Sequence, residues 1–171
     1  MRKVLVIGSS GAGKSTFARR LGQLLDLPVI HLDALYWKAG WVETPKPEWA
    51  AMVAELARRD AWVMDGNYSG TFDIRVEACD TLIFLDMPRL VCLRRALQRW
   101  LVYRGRTRPD MAAGCNEKID WEFILWMWNY PKANRPQVLR LMREHAGSKR
   151  VVRLRSSAEV ERYLASVVGD A

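Results

Sequence analysis

Short apolar runs alternate along the chain with longer segments whose apolar residues recur every three or four positions. The first kind reads as strands buried on both faces, the second as helices packed against them. Strands are expected at residues 3–7, 28–32, 61–64, 81–85 and 151–154. Helices are expected at 14–25, with Phe17, Ala18, Leu21, Leu24 and Leu25 on one face, and at 47–59, with Trp49, Val53, Leu56 and Ala57 at helical spacing. A long helix should run from Pro88 to about Tyr103. A polar loop containing Gly105 and Pro109 follows at 104–118, then helices at about 117–130 and 136–145, parted by Pro131, with Pro136 in the first turn of the second. Ser156-Ser157-Ala158-Glu159 has the form of a capping box for a last helix. Five strands, each followed by helical material, describe a three-layer α/β domain around a five-stranded parallel sheet, expected as one domain over residues 1–171. Ligands of such sheets gather at the carboxyl ends of strands, where Asp33, Asp65 and Asp86 all fall.

The turn between the first strand and the first helix reads Gly8-Ser9-Ser10-Gly11-Ala12-Gly13-Lys14-Ser15. It matches G-x-x-x-x-G-K-[ST] in the strand–loop–helix setting that the motif requires. Glycines let the backbone turn its N–H groups inward around a phosphate, and the following helix adds its positive end. Residues Gly8, Ser9, Ser10, Gly11, Ala12, Gly13, Lys14, Ser15 and Thr16 are therefore expected to hold ATP or GTP, with Lys14 against the β/γ-phosphates and Ser15 on Mg²⁺. Asp65, followed by Gly66, is expected at the same Mg²⁺ through a water. Asp86 has a similar setting but precedes Met87-Pro88, where a helix starts. Asp33 is placed to orient an acceptor hydroxyl or take its proton, an N-cap being the structural alternative. His31 would face the other way on a continuing strand.

Composition narrows the remaining choices. Three widely spaced cysteines point to the cytoplasm and away from a disulfide framework or a zinc site. No apolar stretch is long enough for a bilayer, and the apolar run after Arg2-Lys3 is too short for a secretion signal. The net charge of +8 is uneven, because residues 86–155 hold 16 Lys and Arg against 6 Asp and Glu. That half attracts polyanions, whether nucleotide, phosphorylated substrate or nucleic acid. Within it lie Arg94, Arg95, Arg99, Arg104, Arg106 and Arg108, and no acid separates Arg89 from Arg108, so local ion pairs do not account for the run. Arg95 and Arg99 share a helix face. Arg104, Arg106 and Arg108 sit in a loop suited to a lid (about 104–134), open when no anion offsets their repulsion. Among eight tryptophans, Trp37 and Trp41, with Tyr36, are near enough to Asp33 in sequence to line an acceptor pocket, whereas Trp121, Trp126 and Trp128 brace the lid helices.

Several words of the chain go further: His31-Leu32-Asp33-Ala34-Leu35-Tyr36-Trp37, Asp65-Gly66-Asn67-Tyr68, Tyr103-Arg104-Gly105-Arg106-Thr107-Arg108-Pro109-Asp110-Met111 and Asp120-Trp121-Glu122-Phe123. With the phosphate loop, the chain resembles the adenylate-kinase-like branch of P-loop kinases over nearly its whole length. Within that branch it is most similar to bacterial proteins labelled DNA topology modulation proteins. The resemblance implies a nucleoside-monophosphate-kinase-like P-loop NTPase fold with a helical lid. It also implies that Arg95 lies against the adenine ring, that Arg99 clamps phosphate and that Arg106 and Arg108 close over the transferring group. Adenylate kinases carry Asp-Gly-Phe-Pro-Arg where this chain has Asp65-Gly66-Asn67-Tyr68, so an adenylate acceptor lacks its arginine here. The lone Cys115 excludes a zinc-bearing lid. The expectation is an ATP·Mg-binding phosphotransferase acting on a nucleotide or small metabolite. The alternative is an ATP-dependent nucleic-acid-binding regulator, for which no helix-turn-helix, zinc-finger or RNP signature is present and only weak nucleic-acid binding is expected.

Overall fold

A computed structural model describes residues 1–169. The elements, in chain order, are β1 (Lys3–Gly8), α1 (Lys14–Leu25), β2 (Val29–His31), α2 (Leu32–Tyr36), β3 (Trp37–Lys38), β4 (Val42–Glu43), α3 (Lys46–Arg58) and β5 (Trp62–Asp65). After a 3₁₀ turn at Ser69–Thr71 come α4 (Phe72–Ala78), β6 (Thr81–Leu85), α5 (Arg89–Tyr103), α6 (Trp121–Ala133), α7 (Arg135–His145), β7 (Arg150–Leu154) and α8 (Ser157–Gly169).

Five strands form one parallel sheet in the order β2-β5-β1-β6-β7. Side chains alternate across a strand, so each unbroken apolar run feeds two cores. Leu5, Ile7, Trp62, Met64, Leu82 and Phe84 pack against α3, α4 and α7 on one face. Val4, Val6, Val63, Ile83 and Leu85 pack against α1, α5 and α8 on the other. β1 is central, with the chain crossing to opposite sides of it, so its carboxyl end opens on the crevice where such sheets hold ligands.

The α/β architecture with five parallel strands is the one the sequence pattern predicts; the differences are local. β2 stops at His31 because Leu32–Tyr36, free of β-branched residues, turns at once into α2. Asp33 therefore stands in the first turn of a helix, where the dipole favours a carboxylate, and α2 has no side-chain cap hydrogen bond. A hairpin, β3–β4, and the helix α4 were not anticipated. Pro131 lies inside α6 rather than ending it, since buried Met127 and Tyr130 anchor that turn in the cores.

Candidate active site

The phosphate loop is held from behind. Gly11 has φ 74°, and a Cβ there would run into the Cys92 carbonyl of α5, so the loop can approach that helix only as glycine. Gly13, at φ 95°, precedes α1 without offering a side-chain cap, which leaves the first-turn N–H groups of α1 free for a ligand. Ser10 to Thr16 line a cavity of about 400 Å³, while Gly8 and Ser9 lie beneath it. Asn67 accepts the Gly8 N–H through Oδ1 at 3.3 Å. Arg95 lines the same cavity and donates to the Ala12 carbonyl (3.2 Å) and the Ser157 hydroxyl (3.0 Å), bracing the loop against the start of α8.

Lys14 donates to the Ser9 carbonyl at 3.0 Å. Burial lowers its pKa, and the carboxylates of Asp33 and Asp65 oppose that shift. Asp33 Oδ1 accepts from the Tyr68 hydroxyl at 2.7 Å. Burial first, then the Asp33 charge, pushes Tyr68 upward, so it remains a donor at any working pH. Tyr68 itself sits at φ 30°, an uncommon conformation for a residue with a side chain. The wholly buried Arg75 holds that turn in place, donating to the carbonyls of Gly66, Asn67, Tyr68 and Thr71. Its burial lowers the guanidinium pKa to about 9.

A second cavity, of about 510 Å³, adjoins the first. Trp37, Trp41, Tyr68, Phe123 and Trp126 form much of its wall, with Asn67 near its floor. Tyr36 instead packs between Trp49 and Tyr68. Five residues line both cavities: Ser10, Lys14, Asp33, Arg99 and Arg108. Two cations of the lid side, a third from the loop and one carboxylate thus stand where the spaces meet.

Glu117 organises the lid side. Its side chain is 2% exposed and lies between Arg99 Nε (2.7 Å) and Arg108 Nε (2.6 Å, not aligned as a hydrogen bond). Arg108 also donates to Asp110 at 3.0 Å. Two arginines of the run, Arg99 and Arg108, are therefore paired, by acids outside it in sequence. Backbone bridges within the lid segment join Arg104 to Glu117 and Thr107 to Asn116. Trp41 Nε1–H donates to the Asn116 carbonyl (3.0 Å) and Gly40 N–H to the Gly114 carbonyl (3.1 Å), tying the hairpin to the lid.

Not every expected residue reaches the site. Arg106 is exposed and lines neither cavity; its backbone carbonyl instead accepts the Glu117 N–H. Asp65 is 3% exposed and absent from both walls. His31 Nδ1 lies 2.9 Å from its Oδ1, and its buried Oδ2 has no partner. His31 is not turned away from the site: it is the register partner of Asp65 in the parallel sheet, and partners in register share a face, so the alternation of β2 itself brings the ring to that carboxylate. Burial alone would lower the His31 pKa, but the hydrogen bond and charge of Asp65 outweigh it and the net shift is upward. Asp86 is occupied by Arg135 and Arg153. Asp110 escaped notice in the sequence. Although burial raises its pKa, Arg108 and the neighbouring Ser15 hydroxyl hold it below the usual carboxylate value. Glu117, the one acid between Asp110 and Asp120, was read only as the start of a helix.

Among the described residues no group of three or more His, Cys, Asp or Glu side chains is placed to hold a metal alone. That suits Mg²⁺, which keeps waters and shares phosphate oxygens rather than filling a protein cage. The hydroxyl of Ser15, the carboxylate of Asp110 and the unpartnered Oδ2 of Asp65 fit such an ion. No helix among the described residues is long and apolar enough to cross a membrane.

No family model matches the chain. A shikimate kinase of Rhodococcus jostii is 39% identical over 64 residues, covering 33% of this chain and 38% of that enzyme. The chain thus matches well under half the length of that relative. A shikimate kinase of Leptospira biflexa is 24% identical over 132 residues, 66% of this chain and 73% of its own. Among solved structures, a shikimate kinase from Acinetobacter baumannii in complex with shikimate is similar with a TM-score of 0.63 at 16% identity, over 98% of this chain and 91% of that one. A gluconokinase from Sinorhizobium meliloti is similar with a TM-score of 0.55 at 18% identity, over 99% and 92%. The chain shares its α/β fold with these kinase structures. The phosphate loop between β1 and α1 on this fold marks the chain as a P-loop protein. The similarity is to kinases of small metabolites and gives no support to a DNA-related role.

Proposed function

We propose that the chain is a cytoplasmic ATP·Mg-dependent kinase that phosphorylates a hydroxyl of a small metabolite. The observation that carries this reading is the meeting of two cavities at Lys14, Asp33, Arg99 and Arg108. One is walled by the phosphate loop, the other mainly by aromatic rings, as suits a hydroxylated acceptor with an apolar or planar face. Nucleotide phosphates would lie over Ser10 to Thr16, with the base toward Arg95. Mg²⁺, when bound beside Ser15, would supply charge neutralisation across the phosphates, Asp110 lying within reach and Asp65 acting through a water.

Asp33 accepts the acceptor hydroxyl's proton as that oxygen bonds the γ-phosphorus and the bond from phosphorus to the β-phosphate oxygen breaks. Tyr68 fixes the carboxylate so that one oxygen faces the acceptor. Lys14, Arg99 and Arg108 stabilise charge on the phosphoryl oxygens in flight. Arg106 serves the lid's backbone instead. The relatives' names direct the first trials to shikimate and gluconate. The test is incubation with Mg·ATP and pooled hydroxylated metabolites, those two included, followed by mass spectrometry. The wild type should yield a phosphate monoester that Asp33→Asn does not. A protein that binds Mg·ATP yet phosphorylates nothing in pools spanning polyols, sugar acids and ring alcohols would count against the reading.

A further inference from the structure

A third cavity, of about 380 Å³, lies on the far side of the phosphate loop from the acceptor, reached through Ser9 and bounded by the starts of α5 and α7 and the end of β7. We infer that it is a binding site for the phosphoryl group of a small phosphate ester, separate from the nucleotide and acceptor cavities. Four arginines line it, Arg89, Arg135, Arg153 and Arg155, against a single carboxylate, Asp86. Asp86 is already satisfied: Arg135 Nε donates to it at 2.9 Å and Arg153 Nη2 at 2.6 Å. Arg89 and Arg155 have no carboxylate partner among the described residues. An excess of three positive charges therefore faces this space.

Two further features point to an oxyanion there. α5, fifteen residues long, begins at the cavity, and no side chain caps its first turn, so its free N–H groups add the positive end of the helix. Independently, Tyr130 lines the cavity from α6, is 4% exposed, and its buried hydroxyl has no hydrogen-bond partner. A buried tyrosine hydroxyl ordinarily finds one. A phosphoryl oxygen would accept from it while the guanidinium forks of Arg89 and Arg155 accept no role but donation. The volume exceeds the need of a bare phosphate and lies within the usual range of small-molecule pockets, about 300–1,000 Å³. Met127, Pro131 and Met87 give an ester's carbon body something apolar to rest on.

Calorimetric titration of glycerol 3-phosphate, with inorganic phosphate as a second arm, into protein saturated with Mg·ADP tests the inference. Lys14→Ala without nucleotide gives a background in which the phosphate loop is disabled. Binding should persist in both settings. Arg89→Gln with Arg155→Gln, both at exposed positions, should weaken it about tenfold or more, as expected for charge-assisted hydrogen bonds. Tyr130→Phe should weaken it less and leave the melting temperature of the free protein unchanged. Tighter binding of the ester assigns the natural ligand to phosphate esters, and tighter binding of phosphate would overturn that part. Absence of binding, or binding indifferent to both arginines, would overturn the site itself.

Discussion

The part of the nucleotide wall that would hold phosphate is one stretch of chain, residues 10–16, whereas the wall facing it draws on α2, the β3–β4 hairpin, the turn after β5, α5, and the lid with α6. The first wall works through its backbone. Its residues are set by local backbone geometry, as with Gly11 at φ 74° and Gly13 at φ 95°, and each requirement is legible where it stands. The second works through side chains whose partners are distant: Glu117 reaches Arg99 eighteen residues away, and Tyr68 reaches Asp33 thirty-five away. A site of this kind can keep its donor side fixed while its acceptor side takes a different substrate.

That contrast can be broken most sharply at the lid arginines. Arg108→Ala should lower kcat on the order of 10³-fold, the lower end for an arginine that stabilises a phosphoryl in transfer, with nucleotide affinity little changed. Arg106→Ala should leave both near wild type. Equal losses in the two variants, measured in steady state, would show that the lid acts through bulk charge. Next in size is Glu117→Gln, which leaves Arg99 beside a neutral amide and Arg108 with Asp110 alone. Breaking a buried ion pair of this kind costs about 3–5 kcal/mol, to be read from denaturant unfolding. An unchanged midpoint would mean that Glu117 does not organise the lid.

On the loop side, Mg·ATP at about 100-fold excess over its Kd should add roughly 2.7 kcal/mol. That corresponds to on the order of 5–10 °C in melting temperature for a chain of this size. Lys14→Ala should lose most of the shift, and equal shifts would remove Lys14 from the phosphate site. The smallest effect concerns His31, whose pKa is raised in the fold. Its bond to Asp65 stabilises the protein fully below the ordinary histidine value of about 6.5, and the contribution is lost as pH rises through the folded pKa. The melting-temperature advantage of wild type over His31→Gln should therefore shrink from about pH 6 upward. An advantage that grows with pH would mean that the pair is held neutral.

The same division explains what the sequence could disclose. Strand positions were readable because residues such as Val4 and Leu82 are apolar on both faces of a covered sheet. Strands of two residues, as in β3 and β4, carry no such period, and the hairpin depends on Gly40 and Trp41 at positive φ and on bonds to the lid. Pro131 reads as a helix end, yet tertiary burial of Tyr130 overrides it. Lys14, Asp33, Arg95, Arg99 and Arg108 were placed at the two cavities from pattern and resemblance together. Arg106 could not be told from Arg108 in a loop without periodicity, because the choice between them is made by Glu117 and Asp110 through folding. Of the basic half that suggested nucleic acid, four arginines, Arg99, Arg108, Arg135 and Arg153, are paired with Glu117 or Asp86.

The most direct test of the junction at Asp33 is a paired measurement on Asp33→Asn once an acceptor has been found: Mg·ATP affinity by calorimetry and phosphoryl transfer by single turnover. If Asp33 takes the acceptor's proton where the two cavities meet, affinity should stay within about twofold while transfer falls by about 10²–10⁴, the usual range for a general base. Loss of nucleotide affinity with transfer intact at saturating ATP would place Asp33 on the donor side alone and contradict the account.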